Sequence, residues 1–101
     1  MSEARKLTGD EITRGMPAHP GWRLEEGKMH KSINFMNFAD AFSFMTRVAF
    51  EAEKMNHHPE WSNVYSRVNI ALVTHETGGV SSLDFELASK IDEAVRGFRT
   101  R

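Results

Sequence analysis

The chain has 101 residues, 40% of them hydrophobic, a size that suits one compact domain and leaves little room for two. Thirteen Lys and Arg against fourteen Asp and Glu give a net charge of -1, so no global field favours nucleic acid or an anionic membrane, and neither is expected as a direct partner. Cysteine is absent, which removes disulfides, thiol nucleophiles and cysteine-bearing zinc sites together. No apolar run approaches the roughly 20 residues of a membrane span, and the start "MSEARKLTGDE" lacks the apolar centre of a secretory signal; a cytoplasmic location is the expectation.

Residues 1–6 are polar and expected to be flexible, leaving 7–101 as the single domain. Thr8 followed three residues later by Glu11 has the spacing of a capping box, so a short helix should start there and end at "GMPAHPG". From Trp22, "WRLEEGKMHKSINF" predicts two strands around Glu26 and Gly27, with Met29, Lys31, Ile33 and Phe35 on one face of the second. Asn37 can cap the next segment, where Phe38, Ala41, Phe42, Met45, Val48, Ala49, Ala52 and Met55 recur at spacings of three and four. Phe44 and Phe50 fall off that stripe, which suggests a second apolar contact, with another subunit.

Pro59 disfavours helix at His58 and pushes it toward an extended conformation. "NVYSRVNIALVTHE" then alternates as a strand does, with Val68, Ile70, Leu72 and Thr74 on one face and a break near Ser66 and Arg67 that separates two strands. After "GGV", Ser81 and Asp84 repeat the capping-box spacing, and Leu87, Ala88, Ile91, Ala94, Val95 and Phe98 form a last amphipathic stripe. The order α-β-β-α-β-β-α, with short turns joining the strands in pairs, predicts an α+β fold: a four-stranded antiparallel sheet with three helices on one face.

Three of the five histidines sit at element ends. His57 and His58 leave the long helix and His75 ends a strand; if that strand runs back toward the helix exit, the three imidazoles share a cleft. Imidazole exchanges protons near neutrality, so such a cluster suits acid-base chemistry. Glu53, four residues before His57, has the spacing to orient its ring. Trp61 and Tyr65 would supply flat walls for a planar ligand. Plainer readings exist for each: a histidine pair favoured by the helix dipole, a solvated Glu53, an Asp84 that only caps, a Trp61 in the core. A zinc site from Glu53, His57, His58 and His75 is the sharper rival, but no H-x-x-x-H or H-E-x-x-H helical spacing supports it. Nucleophile elbows and phosphate-binding loops of the G-x-x-x-x-G-K type are missing. His19 and His30 read as surface residues.

"EKMNHHPEWSNVY", then "THE" and the aspartate after "GGVSSL", resembles the pterin-4a-carbinolamine dehydratase family. That family's pattern is an acid, three residues, His-His-Pro, an aromatic six residues later, a histidine after nine more, and an aspartate. Here it falls on Glu53, His57, His58, Pro59, Tyr65, His75 and Asp84 with the spacing kept. Asn56 departs from members that carry aspartate before the two histidines, so an amide that can hydrogen-bond stands where those members have a carboxylate.

The resemblance implies dehydration of a 4a-hydroxytetrahydropterin to quinonoid dihydropterin, in support of tetrahydrobiopterin recycling, with no metal and no nicotinamide or flavin cofactor. It implies His57 and His75 as the proton-transfer pair, and His58 in catalysis and substrate orientation with Glu53 behind it. Asn56, Pro59 and Trp61 would help bind the pterin, with Asp84 as a cap or a partner of His75. It also implies a homodimer or homotetramer and an aromatic amino-acid hydroxylase as metabolic client. The alternative from the same family is a binding module that acts as a dimerisation cofactor or transcriptional coactivator.

Overall fold

The computed structural model describes residues 4–101. Helix α1 (Gly9–Gly15) begins with the expected capping box between Thr8 and Glu11, and a 3-10 turn at Met16–Ala18 ends it. Strands β1 (Arg23–Glu25) and β2 (Lys28–Asn34) form a hairpin whose turn residues Glu26 and Gly27 both have positive φ, at 52° and 76°. Two such residues give a turn whose twist matches that of the strands it joins. Helix α2 (Phe38–Met55) is capped by Asn37, whose side chain accepts the amide of Asp40 at 2.8 Å. Strands β3 (Glu60–Val64) and β4 (Arg67–Leu72) form the second hairpin, and helix α3 (Ser82–Val95) closes the chain behind the Ser81–Asp84 capping box.

The sheet is antiparallel throughout, in the order β1-β2-β4-β3, so the two hairpins meet through their inner strands. The β2–β4 register pairs Met29 with Leu72, Lys31 with Ile70 and Ile33 with Val68. Five of these six side chains are buried beneath the helices, together with Phe35, Phe44, Leu87, Ala88 and Ile91. Lys31 is the exception on this face. Its ammonium reaches Asp92 of α3 at 2.8 Å and lies 5.7 Å from the Trp22 ring centroid, so its stem covers apolar surface while its charge is satisfied.

Two expectations need correction. Helix α2 buries Ala41, Phe44, Val48 and Ala52, whereas Phe38, Phe42, Ala49 and Phe50 are exposed. Phe44 was expected off the stripe but packs on Phe35 with ring centroids 4.9 Å apart. The helix carries apolar residues on two faces, and the sheet decides which one is covered. His19 is buried rather than on the surface, with its ring 5.2 Å from that of Phe85. Of the segment expected to be flexible, residues 1–3 lie outside the described residues. Lys6 bridges to Ser81, and Arg5 accepts the amide of Ser82. No helix among the described residues is long and apolar enough to cross a membrane.

Candidate active site

The exit of α2 is built by a left-handed stop. Asn56 takes φ 52° and ψ 42°, its N–H donates to the Glu53 carbonyl, and the N–H of His57 donates to the Ala52 carbonyl at 3.0 Å. These two bonds make a Schellman motif, in which asparagine is the usual substitute for glycine. The reversal carries His57 off the helix and inward. Pro59 then keeps the chain extended into β3.

His57 is 8% exposed and Asp84 is fully buried. Oδ1 of Asp84 lies 2.6 Å from Nε2 of His57, while Oδ2 accepts the Thr74 hydroxyl and the Ser81 amide, each at 2.9 Å. The proton positions in this network follow from its donors. Thr74 gives its one hydroxyl proton to the carboxylate, so the Ser81 hydroxyl, which accepts from the Leu83 amide, donates to Thr74 Oγ1, 2.6 Å away. Where Asp84 accepts on both oxygens, His57 donates from Nε2, and in the neutral ring that tautomer leaves Nδ1 with its lone pair.

The other two imidazoles have carboxylates of their own. His58 Nε2 is 2.6 Å from Oε1 of Glu53, and His75 Nε2 is 2.9 Å from Oε2 of Glu60. Both pairs are solvent-exposed. Lys28 and His75 donate to Glu60 and hold its carboxyl below its ordinary value. All three rings therefore spend Nε2 on a carboxylate. His57, His58 and His75 line one open cleft of about 450 Å³ with Asn56, Val73, Glu76 and Leu83, a volume within the usual range for small-molecule sites.

The structure thus brings together the three expected histidines and Asn56, and changes their partners. Glu53 bonds His58, the ring it stands behind in the family resemblance, rather than His57, the ring its helical spacing suggested, because the turn at Asn56 breaks the helical register that the four-residue spacing assumes. Asp84 serves as cap and partner of His57, not of His75. His75 lies in a 3-10 turn, His75–Thr77, rather than at the strand end itself. Trp61 stands opposite Ile70 and packs partly against the core, and neither it nor Pro59 lines the cleft. Tyr65 sits in the β3–β4 turn with φ 51°, roughly 16 Å along β3 from the cleft end at about 3.3 Å per residue. Sequence reasoning passed over Glu60, Thr74, Val73, Glu76 and Leu83. Glu60, next to "HHP", was visible as an acid at a strand start, but its partners Lys28 and His75 come from distant segments.

The fold and the cleft define a small α+β protein with a candidate acid-base site of histidine-carboxylate pairs at one end of its sheet. Residues 5–94 match the family model described as pterin 4 alpha carbinolamine dehydratase, so the chain belongs to that family. It is 48% identical over 94 residues to a Sinorhizobium fredii protein named "Putative pterin-4-alpha-carbinolamine dehydratase", covering 91% of this chain and 90% of that one. A protein of the same name from Solibacter usitatus is 46% identical, over 91% of this chain and 97% of its own. A crystal structure described as a transcriptional coactivator/pterin dehydratase from Brucella melitensis superposes with a TM-score of 0.87 at 38% identity, covering 89% of this chain and 98% of that one.

Proposed function

We propose that the protein dehydrates 4a-hydroxytetrahydropterin to quinonoid dihydropterin and water by histidine acid-base catalysis. The carbon-oxygen bond at C4a breaks and the hydroxyl leaves as water with a donated proton. A neighbouring ring N–H gives up its proton, and the nitrogen lone pair forms the new carbon-nitrogen double bond. No electrons are gained or lost, so the chemistry asks only for a positioned acid and a positioned base, each typically contributing about 10² to 10⁴-fold. The carrying observation is the cleft in which three imidazoles are each tied through Nε2 to a carboxylate. A neutral ring that donates from Nε2 has its Nδ1 lone pair left for proton exchange.

His57 and His75 serve as the proton-transfer pair on opposite faces of the pterin, while His58 and Glu53 bind and orient it and Asn56 contributes an amide. His57→Ala and His75→Ala each lose most turnover while staying folded; a double variant with the wild-type rate would refute the assignment. The reading includes tetrahydrobiopterin recycling in the cytoplasm, an aromatic amino-acid hydroxylase as client, and a homodimer or homotetramer. A second reading, a coactivator-type binding module, draws on the description of the Brucella melitensis structure and on the exposed Phe38, Phe42 and Phe50 of α2. In that case variants of His57 and His75 would spare the biological effect and variants of the exposed helix face would abolish it.

A further inference from the structure

We propose that Glu60 is a positioning residue for His75, and that Lys28 anchors the side chain at position 60 and so sets which of its two terminal atoms faces that ring. The inference rests on the dehydratase reading for its catalytic consequence, though not for its effect on His75. Glu60 is the first residue of β3 and pairs with Ala71 of β4, Lys28 opens β2, and His75 follows the end of β4. Three chain segments therefore converge on one carboxylate, whose Oε1 accepts from Lys28 Nζ at 2.7 Å and whose Oε2 lies 2.9 Å from His75 Nε2. The Glu60 side chain is partly exposed and that of His75 largely so, at 42% and 74%. Ion pairs this accessible contribute at most modestly to stability, so the arrangement matters chiefly for the ring it holds.

The donor inventory makes the consequence specific. An ammonium only donates and an ionised carboxylate only accepts, so Lys28 leaves Glu60 an acceptor on its second oxygen. His75 must then carry its proton on Nε2, and Nδ1 keeps the lone pair that proton transfer needs. A glutamine at this position has one oxygen and one amide nitrogen. Lys28 claims the oxygen, so the amide N–H faces His75 Nε2 and drives the ring to the opposite tautomer, with the proton on Nδ1. An alanine removes the partner without imposing the wrong one. Lys28 thereby makes the nearly isosteric glutamine more harmful than the truncation, an order that loss of structure alone would not produce.

The test measures the ¹⁵N chemical shifts of His75 in its neutral form, with steady-state dehydration of 4a-hydroxytetrahydropterin, for wild type, Glu60→Gln, Glu60→Ala and the double variant Glu60→Gln/Lys28→Met. The wild-type ring should be protonated on Nε2 and the Glu60→Gln ring on Nδ1. Hydrogen-bond partners of metal-bound histidines typically matter by about 10 to 100-fold, and by the same orienting effect Glu60→Gln should lose a comparable factor in kcat with KM within about two-fold. Glu60→Ala should lose less, and Lys28→Met should restore Nε2 protonation and part of the rate in the glutamine background, because the amide is then free to turn over. A Glu60→Gln protein with His75 still protonated on Nε2 overturns the proposal. So does one whose rate equals that of wild type while wild type is active. If wild type itself does not accelerate dehydration, the dehydratase reading fails, and the tautomer shifts alone still decide what Glu60 does to His75.

Discussion

At the scale of single residues, the hydrogen bonds of the cleft bear on which imidazole nitrogens carry protons. Asp84 is the clearest case, because the hydroxyl of Thr74 and the amide of Ser81 both need an acceptor on Oδ2, and only Oδ1 remains for His57. In Asp84→Asn those two donors claim the amide oxygen, and the nitrogen faces Nε2 of His57 with a proton of its own. The ring must then turn over to the other tautomer. We expect Asp84→Asn to lose about 10²-fold or more in kcat, the range of one general acid-base group, while the helix cap persists and the protein remains folded. Steady-state rates and a thermal melt on the same sample check both halves. The three histidines and Asp84 were legible in the sequence as residue types at telling separations. Their partners were legible only in part, since they depend on which way the chain turns at Asn56. Helical spacing alone joined Glu53 to His57, whereas the resemblance set it behind His58, and the left-handed Asn56 makes the second contact the one that forms.

At the scale of elements, the capping boxes and the hairpin turns were written locally and were readable: Thr8 with Glu11, Ser81 with Asp84, Glu26 and Gly27. The inward face of α2 was not, because Phe38, Phe42, Phe44 and Phe50 place phenyl rings around much of the helix and a period of 3.6 residues accommodates either side. Contact with Phe35 and the sheet decides for Phe44. Phe44→Ala should therefore cost about 3–5 kcal/mol in chemical denaturation, as for other buried phenylalanines. Phe50, 66% exposed, should cost less than about 1 kcal/mol when dilute protein is unfolded. If the outer row is a subunit contact, Phe50→Ala will sediment as a smaller species than wild type while keeping its fold; an unchanged sedimentation profile would remove Phe50 from that role.

At the scale of the whole molecule, the two hairpins carry the cleft at the sheet end where Lys28, Glu60 and the exit of β4 meet, and α2 and α3 supply the residues that close it. Strand order β1-β2-β4-β3 was not legible in the sequence, because local alternation defines strands without saying which ones pair across hairpins. That pairing is what sets Glu60 beside Lys28 from a strand 32 residues away in the chain. The same ion pair gives the fold a pH dependence. Lys28 and His75 lower the pKa of Glu60, and the Thr8 amide and Arg5 lower that of Glu11. A depressed carboxyl pKa contributes stability that is present above the unfolded-state value, near 4.5 for both groups, and is lost as pH falls through the folded-state value. Thermal midpoints should therefore decline modestly on acidification below that value, and Glu60→Gln should flatten its share of the decline; a midpoint indifferent to pH through this range would contradict it.

The most direct test of the central claim follows the ultraviolet absorbance of freshly generated 4a-hydroxytetrahydropterin as it loses water, with and without this protein, in the presence of a chelator. The account predicts a large acceleration that survives the chelator and disappears in His75→Ala. Folded protein that leaves the spontaneous rate unchanged would contradict it.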